Sequence, residues 1–359
     1  MLRSLLLLST VLLVLPGCNS VNTRHEISLN GRWSIARTGT DQKEIPAEFL
    51  SSIPVPGLVD MATPAISQQD TAYHHSLFWY RTQFAPVPGK YSLVRLKINK
   101  AKYHTRVFVN GHFAGENTRS FTPTVVDLKP YLSSHGEKNE LVISVGCRDQ
   151  LPDTVVNGHD FEKTTYLPGI YDDVALVMGN YPFIEGVQTV PDPENERIRV
   201  VATILMPGNE TSASARWQIR ELASDSIVSN GETTLKSAGS NQRAELDFTA
   251  PVPGCRVWTP EDPFLYKLEL FTSADHKTTR FGMRTFSFDR DKGMAILNGK
   301  PYFMRGTNVC IFRFFEDPAR RNLPWDSTWP VTLHQRFKEL NWNSIRYCIG
   351  FPPERWYDI

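Results

Sequence analysis

The stretch that decides the fold is Phe281–Cys310, FGMRTFSFDRDKGMAILNGKPYFMRGTNVC. At its centre, two apolar runs lie on either side of Asn298-Gly299. Asn-Gly accepts the positive φ angles of a type I′ turn, so the pattern predicts a tight β-hairpin. The second arm is predicted to continue as a strand over Tyr302–Thr307 and to end at polar residues, as a strand does when it opens on a pocket. The hairpin therefore separates a β-rich front half from an α/β back half.

Upstream, residues 27–181 carry turn signals about every 8–12 residues, which is typical of a β-sandwich or jelly roll. Phe78–Phe84 is a predicted strand, and Asn110-Gly111 predicts a second tight hairpin. Three aromatic side chains of this region are expected in its core rather than on a sugar-binding surface. They are Trp33, Trp79 and Tyr80.

Residues 182–288 continue the all-β pattern with strands such as Ile198–Leu205. Turns are predicted at Pro207-Gly208, Asn230-Gly231 and Pro253-Gly254. About a hundred residues of this pattern fit an immunoglobulin-like sandwich. No chemistry is predicted here, and the domain is expected to act as a buttress.

Residues 289–359 change character. Leu333, Phe337 and Leu340 recur at helical spacing and predict a helix over Thr332–Asn341. The predicted strand Asn343–Tyr347 follows, and another helix is predicted to begin at Glu354–Ile359. Together with the strand before the helix, this predicts a β-α-β unit with parallel strands and a right-handed crossover.

The composition gives little indication of a charged partner. The formal net charge is +1, so neither a nucleic acid nor another polyanion is expected. The cysteines after residue 18 are scattered without a Cys-x-x-Cys pair, so a zinc site is not expected. They are Cys147, Cys255, Cys310 and Cys348. Four cysteines allow three pairings, and all three stay open at this point.

Met1–Cys18 has the features of an export signal. Arg3 precedes the apolar run Leu5–Leu15, which is short for a membrane span. The run ends in Leu-Pro-Gly-Cys18, which resembles the lipobox of bacterial lipoproteins and implies cleavage before an acylated Cys18. Residues 19–26 are then a tether, and the protein is expected on a membrane of the bacterial cell envelope, at the periplasmic or outer-membrane face. The alternative is a soluble secreted protein with a chance cysteine.

Several segments, in their order along the chain, resemble family 2 of the glycoside hydrolases, which includes β-galactosidases, β-glucuronidases and β-mannosidases. They are Leu29–Trp33, Val55–Gly57, Trp79–Arg81, Val107–Gly111, Asn139–Leu141, Gly169–Val174, Phe281–Arg284, Leu297–Pro301 and Arg305–Asn308. The resemblance implies a jelly-roll sugar-binding domain over 27–181, an immunoglobulin-like sandwich over 182–288, and the first β-α-β of a (β/α)8 TIM barrel over 289–359. It also implies an oligo- or polysaccharide substrate. Some members use Mg²⁺ or Na⁺, but the sequence shows no ligand set for either ion.

The resemblance also suggests residues of a substrate site. In a barrel the site lies at the carboxyl ends of the strands, which places Asn308 and Cys310 at the first strand. Arg346 matches the family's strand-two arginine, either as a pocket residue or in a salt bridge inside the barrel. Members often have Asn-x-His at the first strand, where this chain has Asn308–Cys310, and galactosidase-like members often have Ser-His-Tyr-Pro after the second, where it has Cys348–Pro352. Both losses of histidine argue against galactoside specificity. Asp160 is a further substrate-contact candidate, because the family's loop before Gly169 can reach the site.

The catalytic carboxylates of the family are not evident in this chain. Its retaining mechanism uses an acid and a nucleophile roughly 5–5.5 Å apart, and in the family both are glutamates on later barrel strands. The pairs Asn139-Glu140 and Asn195-Glu196 resemble the acid's Asn-Glu motif, but they lie in predicted turns of the sandwiches. A whole barrel needs about 250 residues, far more than residues 289–359 supply. The chain is therefore expected to stop within the barrel and to be inactive alone.

Three functions remain open from the sequence. The first is the amino-terminal part of a lipid-anchored retaining β-glycosidase. The second is a non-catalytic surface carbohydrate-binding lipoprotein, against which the unpaired strand edges of a partial barrel argue. The third is a structural adhesin, which would leave the β-α-β unit unexplained.

Overall fold

The computed structural model describes residues 24–66, 75–86, 88–133, 138–146, 148–155, 167–206, 212–236, 243–315, 317–348 and 350–359. The predicted signal segment with Cys18, the loop residue Asp160 and Cys147 lie outside the described residues. No helix of the described residues is long and apolar enough to cross a membrane.

The first part of the described chain is an antiparallel β-sandwich. Its strands are β1 (His25–Ser28), β2 (Gly31–Gly39), β3 (Ser51–Val55), β4 (Gly57–Leu58), β5 (Ser76–Phe84), β6 (Leu93–Ile98), β7 (Ala101–Lys102), β8 (Thr105–Val109), β9 (His112–Asn117), β10 (Thr124–Asp127), β11 (Asn139–Val145), β12 (Gly169–Ile170) and β13 (Val174–Gly179). The strand orders are β1-β13-β6-β10, β3-β2-β5-β11-β8-β9 and, in a small sheet, β4-β12-β7. Short 3-10 helices connect some of these strands over Val59–Met61, Lys129–Tyr131 and Arg148–Gln150.

The core of this sandwich lies between its two larger sheets. Leu96 and Leu176 of the first sheet share one apolar cluster with Phe78 and Ile143 of the second. The strand β5 is buried on both faces, because Trp79 packs into a separate cluster on the outer side. The three aromatic side chains predicted in the core are buried there, with exposures of 3%, 0% and 0% for Trp33, Trp79 and Tyr80.

The second part is another antiparallel sandwich. Its strands are β14 (Phe183–Asp192), β15 (Arg197–Leu205), β16 (Ser212–Glu221), β17 (Ile227–Lys236), β18 (Arg243–Pro251), β19 (Tyr266–Phe271) and β20 (His276–Phe281). They form sheets in the orders β14-β15-β18 and β17-β16-β19-β20. Side chains of both sheets, including Val200, Leu246, Ile219 and Leu268, form one apolar core. The two predicted β-sandwiches are therefore confirmed.

The turn predicted at Asn230-Gly231 is wrong. Both residues lie inside β17, where Asn230 pairs with Gln218 and Gly231 pairs with Trp217. A Cβ atom on Gly231 would lie 2.6 Å from the indole ring of Trp217. The glycine is therefore required by the packing of a neighbouring aromatic ring and not by a turn.

Both other Asn-Gly hairpins are confirmed. Asn110 and Gly111 join β8 to β9 with φ angles of 50° and 81°. Asn298 and Gly299 have φ angles of 50° and 74°. They join strands of a small meander, β21 (Phe286–Asp289), β22 (Met294–Leu297) and β23 (Lys300–Tyr302).

The second arm of the central hairpin is not one continuous strand to Thr307, as predicted. β23 ends at Tyr302, and the next strand, β24, runs over Gly306–Cys310. Between the two strands, the backbone of Arg305 bonds to Asn343 instead of continuing the meander. Asn308 and Cys310 consequently lie within β24 and not beyond its end.

The last part contains a parallel strand pair joined through helices. β24 is followed by a short helix α1 (Ile311–Phe315), the helix α2 (Thr328–Glu339) and the strand β25 (Ser344–Cys348). β24 and β25 are parallel, with Asn308 opposite Arg346 and Cys310 opposite Cys348. Further 3-10 helices cover Leu323–Trp325 and Glu354–Asp358, so the last predicted helix is 3-10 in form.

The helix α2 begins four residues before its predicted start. Asp326 accepts a hydrogen bond from the backbone N–H of Thr328 at 2.9 Å. Pro330 then lies in the first turn, where a residue without an N–H group is tolerated. Leu333 and Phe337 pack against the core of the first sandwich, whereas Leu340 is exposed beyond the helix end.

Candidate functional site

The carboxyl ends of β24 and β25 form the candidate site. In sheets built from parallel strands, ligands bind outside these ends. The two backbones approach closely at Gly306, where a Cβ atom would overlap the carbonyl oxygen of Ser344. Only glycine therefore fits at the start of β24 in this arrangement.

Asn343 anchors the starts of both strands. Its Oδ1 atom accepts the backbone N–H of Arg305 at 2.8 Å, and its Nδ2 donates to the carbonyl of Phe303 at 3.1 Å. Its own backbone N–H donates to the carbonyl of Arg305 at 2.8 Å, while Tyr302 donates its hydroxyl to the Asn343 carbonyl at 3.0 Å. Sequence reasoning missed this positioning role, because Asn343 was predicted as the first residue of the strand, whereas β25 begins at Ser344.

The structure brings two of the predicted site residues together. Arg346 Nη1 donates a hydrogen bond to Asn308 Oδ1 at 3.3 Å, and both side chains are exposed. Among the described residues, no carboxylate forms an ion pair with Arg346, so the salt bridge considered from the sequence is not observed. Its guanidinium keeps donors available to a ligand, since one Arg carries five N–H groups.

The third predicted residue, Cys310, lies two residues after Asn308 in β24. Residues two apart on a strand point to the same side, so Cys310 follows Asn308 and its register partner Cys348 follows Arg346. The two sulfur atoms are 2.8 Å apart. A groove of about 270 Å³ borders β24 here, with Asn308, Cys310, Arg313 and Phe337 among its lining residues.

Aromatic side chains fix the site against the first sandwich. Phe312 and Phe315 of α1 lie 4.9 and 5.3 Å, between ring centroids, from Tyr171. Trp325 donates its indole N–H to the Tyr171 carbonyl at 2.9 Å. Phe312 and Phe315 also belong to the core of the first sandwich, so the connection from β24 to α2 begins packed against that sandwich.

A buried ionic network makes a second connection between these parts. Lys100 Nζ donates to Asp172 Oδ2 and to Glu354 Oε1, each at 2.8 Å. The backbone N–H of Glu354 also donates to Asp172 Oδ2 at 2.8 Å. Burial lowers the pKa of Lys100, but the hydrogen bonds and charges of Asp172 and Glu354 outweigh burial and raise this pKa above its ordinary value. Lys100 is therefore a structural cation.

Asp60 and Arg321 form a third connection. Arg321 Nη1 donates to Asp60 Oδ2 at 2.9 Å. Burial raises the pKa of Asp60, and the charge and hydrogen bond of Arg321 only partly offset this effect. Asp60 lies on the first sandwich in a 3-10 helix, so we assign it to the junction and not to the strand ends.

The described carboxylates of the last part bond to neighbours away from the candidate site. Asp317 bonds to Arg320, Asp326 to Thr328, Glu339 to Arg336, Glu354 to Lys100 and Asp358 to Arg280. The hydrogen bonds from Arg320 and Thr328 lower the pKa values of Asp317 and Asp326. A general acid needs the opposite shift. Of the two Asn-Glu pairs, Asn139 begins β11, contrary to the predicted turn, and Asn195 ends a 3-10 turn.

Two of the remaining predicted residues stay predictions. Asp160 and Cys18 lie outside the described residues. The described part of the chain holds no cluster of three or more His, Cys, Asp or Glu side chains that could bind a metal ion.

Comparison with known proteins points to one family. Residues 183–284 match the model of the glycosyl hydrolases family 2. The chain is 27% identical over 239 residues to a β-galactosidase of Thermoanaerobacter pseudethanolicus, covering 64% of this chain and 31% of that protein. It is 25% identical over 370 residues to a β-glucuronidase of Canis lupus familiaris, covering 89% of this chain and 52% of that protein. The chain thus spans about half or less of the length of these relatives.

Solved structures agree at the level of the fold. A Bacteroides uniformis β-glucuronidase superposes with a TM-score of 0.71 at 20% identity, covering 93% of this chain and 40% of that one. A Faecalibacterium prausnitzii β-glucuronidase gives a TM-score of 0.69 at 21% identity, covering 96% and 59%. The resemblance drawn from the sequence motifs is confirmed.

Proposed function

Because the chain is a relative of the family 2 glycoside hydrolases, we propose that it is part of a retaining β-glycosidase that hydrolyses O-glycosidic bonds in carbohydrate catabolism. The observation that carries this proposal is the family match over residues 183–284. It lies between a first sandwich and a parallel strand pair, the order expected for this family. The substrate class is therefore an oligo- or polysaccharide.

The unit β24-α2-β25 is proposed to be the first β-α-β of a (β/α)8 barrel. Its strands are parallel, with α2 between them in the chain. Substrates of such barrels bind at the carboxyl ends of the strands, and Asn308 and Arg346 lie two residues before the last residues of β24 and β25. These two residues are proposed to contact sugar hydroxyl or carboxylate groups. Asp160, in the loop before Gly169, stays a candidate for substrate contact.

The two catalytic glutamates are proposed to lie outside this sequence. A retaining mechanism needs a protonated acid and a nucleophilic carboxylate roughly 5–5.5 Å apart. The described carboxylates near β24 and β25 bond to neighbours elsewhere, and those of Asp317 and Asp326 have lowered pKa values. The shares of 31% and 52% of the relatives' lengths support the same proposal.

The protein is proposed to work at the bacterial cell envelope. The support is the export signal predicted over residues 1–18, with Cys18 as the acylated residue. The predicted tether over 19–26 is too long, because Arg24 pairs with Asp275 and β1 begins at His25. Residues 19–23 would then hold the first sandwich close to a membrane surface. Acylation at Cys18 is tested by measuring the mass of the amino-terminal peptide.

A panel of aryl β-glycosides tests the proposed activity. The native protein is extracted with detergent from the envelope of the source cell and assayed on aryl β-galactoside, β-glucuronide and β-mannoside. Saturable hydrolysis of at least one of them, with retained anomeric configuration, is expected. Absence of hydrolysis together with sugar binding would overturn the proposal in favour of a non-catalytic carbohydrate-binding lipoprotein.

A further inference from the structure

Two thiols lie side by side at the carboxyl ends of the parallel strands. Cys310 of β24 and Cys348 of β25 are register partners, and their sulfur atoms are 2.8 Å apart. Neighbouring strands hold paired Cα atoms about 4.8 Å apart, within the roughly 4.4–6.8 Å that a disulfide requires. The backbone therefore already presents the two side chains in a bridging arrangement.

We propose that Cys310 and Cys348 are a site of covalent modification, at which a disulfide bond joins β24 to β25. In the oxidation, one thiolate attacks a small disulfide oxidant such as oxidised glutathione and releases one of its halves as a thiol. The second cysteine then attacks the resulting mixed disulfide and releases the other half. Two protein thiols are oxidised to one disulfide, and one oxidant disulfide is reduced to two thiols.

The surroundings of the pair permit this reaction. Both cysteines are only half-buried, so a small oxidant and its leaving thiol can reach them. Their separation of 38 residues along the chain means that the bond would close the whole β24-α2-β25 unit. Such a cross-link restricts the unfolded chain and thereby stabilises the fold. The export signal predicted at the amino terminus is consistent with an oxidising compartment, in which disulfides persist.

The bond would act on the candidate site directly. Asn308 and Arg346 lie two residues before Cys310 and Cys348, on the same strands and the same face. A disulfide immediately beyond them would hold the strand ends together and fix the separation of the two polar side chains. The bond itself does not depend on the proposed glycosidase activity.

Residue-resolved alkylation tests the proposal on the wild-type chain. The full chain is treated with oxidised glutathione, denatured, alkylated with iodoacetamide with or without prior reduction, digested and analysed by mass spectrometry. Denaturation before alkylation ensures that burial cannot protect a thiol. Cys255 is the internal control, because it lies in the second sandwich, where its sulfur is 3.9 Å from the Pro193 carbonyl oxygen.

The expected result is a cross-linked peptide pair containing Cys310 and Cys348, both alkylated only after reduction, with Cys255 alkylated in either case. In the variant Cys310→Ser, Cys348 should be alkylated without reduction. The wild-type protein should also unfold at a lower temperature after reduction, whereas Cys310→Ser should not respond. Alkylation of both cysteines without reduction, or linkage of either one to another cysteine, would overturn the proposal.

Discussion

Arg346 Nη1 donates a hydrogen bond to Asn308 Oδ1 at 3.3 Å, across two parallel strands whose register places these residues opposite each other. The residues are 38 positions apart in the chain, so the contact exists only because β24 and β25 pair. Both side chains are exposed. They form the polar centre of the candidate site.

The first prediction concerns Arg346. Replacing it with alanine in the native protein removes a charged donor, and a hydrogen bond to a charged group contributes about 1.5–3 kcal/mol. We therefore expect kcat/KM for the preferred aryl β-glycoside to fall about 10- to 100-fold. Arg290→Ala, an exposed arginine in the turn before β22, is the matched control. Equal activities of the two variants would remove Arg346 from the site.

The second prediction concerns the buried network of Lys100. The side chain of Asp172 is fully buried and that of Lys100 is 5% exposed, so Lys100→Met leaves a buried carboxylate without its cation. Breaking such a pair costs about 3–5 kcal/mol, measurable as a lower free energy of unfolding in urea. Glu354→Gln is the control, because its side chain is 50% exposed and exposed pairs contribute about 0–1 kcal/mol. A larger loss in Glu354→Gln would contradict this assignment.

The third prediction is a pH dependence. Burial, followed by the charges of Arg24 and Lys97, lowers the pKa of Lys277 to about 8 from an ordinary value of 10.5, although Asp275 and Glu26 oppose the shift. The folded protein therefore releases this proton at a lower pH than the unfolded chain does. Between about pH 8 and 10.5, the Lys277 contribution should raise the stability of the second sandwich as pH rises, and it is lost as pH falls through 8.

The comparison variant is Lys277→Met, which cannot titrate. Unfolding temperatures measured from pH 7.5 to 10 should rise more steeply for the wild type than for Lys277→Met. Lys292→Met, which removes a largely exposed amine, should follow the wild-type profile. Parallel profiles for the wild type and Lys277→Met would contradict the lowered pKa.

The fourth prediction concerns the close approach at Gly306. Gly306→Ala places a Cβ atom into the Ser344 carbonyl, and overpacking of this kind costs about 1–3 kcal/mol. We expect the amides of β24 and β25 to lose protection from hydrogen exchange while those of β15 and β18 keep it. Gly186→Ala is the control, since its Cβ atom would meet no atom within 4 Å. Unchanged protection in β24 would show that the strands tolerate the methyl group.

Sequence reasoning succeeded where a local pattern determines the structure. Asn298-Gly299 forms the predicted hairpin, because the positive φ angles of 50° and 74° are a property of those two residues. The buried faces of the sandwich strands follow from apolar alternation in the same way. The parallel pairing of β24 with β25 was predicted from the helix between them, because a strand-helix-strand crossover joins parallel strands.

Sequence reasoning failed where contacts between residues far apart in the chain determine the structure. Gly231 looked like a turn residue, but the indole ring of Trp217 on the neighbouring strand requires it. The break between β23 and β24 depends on Asn343, which is 38 residues from Arg305. The bonds of Lys100 to Asp172 and Glu354 span 72 and 254 residues. No pattern within a short window contains such contacts.

We propose that β24 and β25 contact the substrate and that the catalytic carboxylates lie outside this sequence. Turnover by this chain alone tests this proposal most directly. The purified 359-residue chain is assayed on the same three aryl β-glycosides as the native protein, after its folding is verified by cooperative thermal unfolding. We predict hydrolysis by the native protein and none by the chain alone. Saturable hydrolysis by the chain alone, reduced in its Arg346→Ala variant, would contradict the account and place the catalytic pair within these residues.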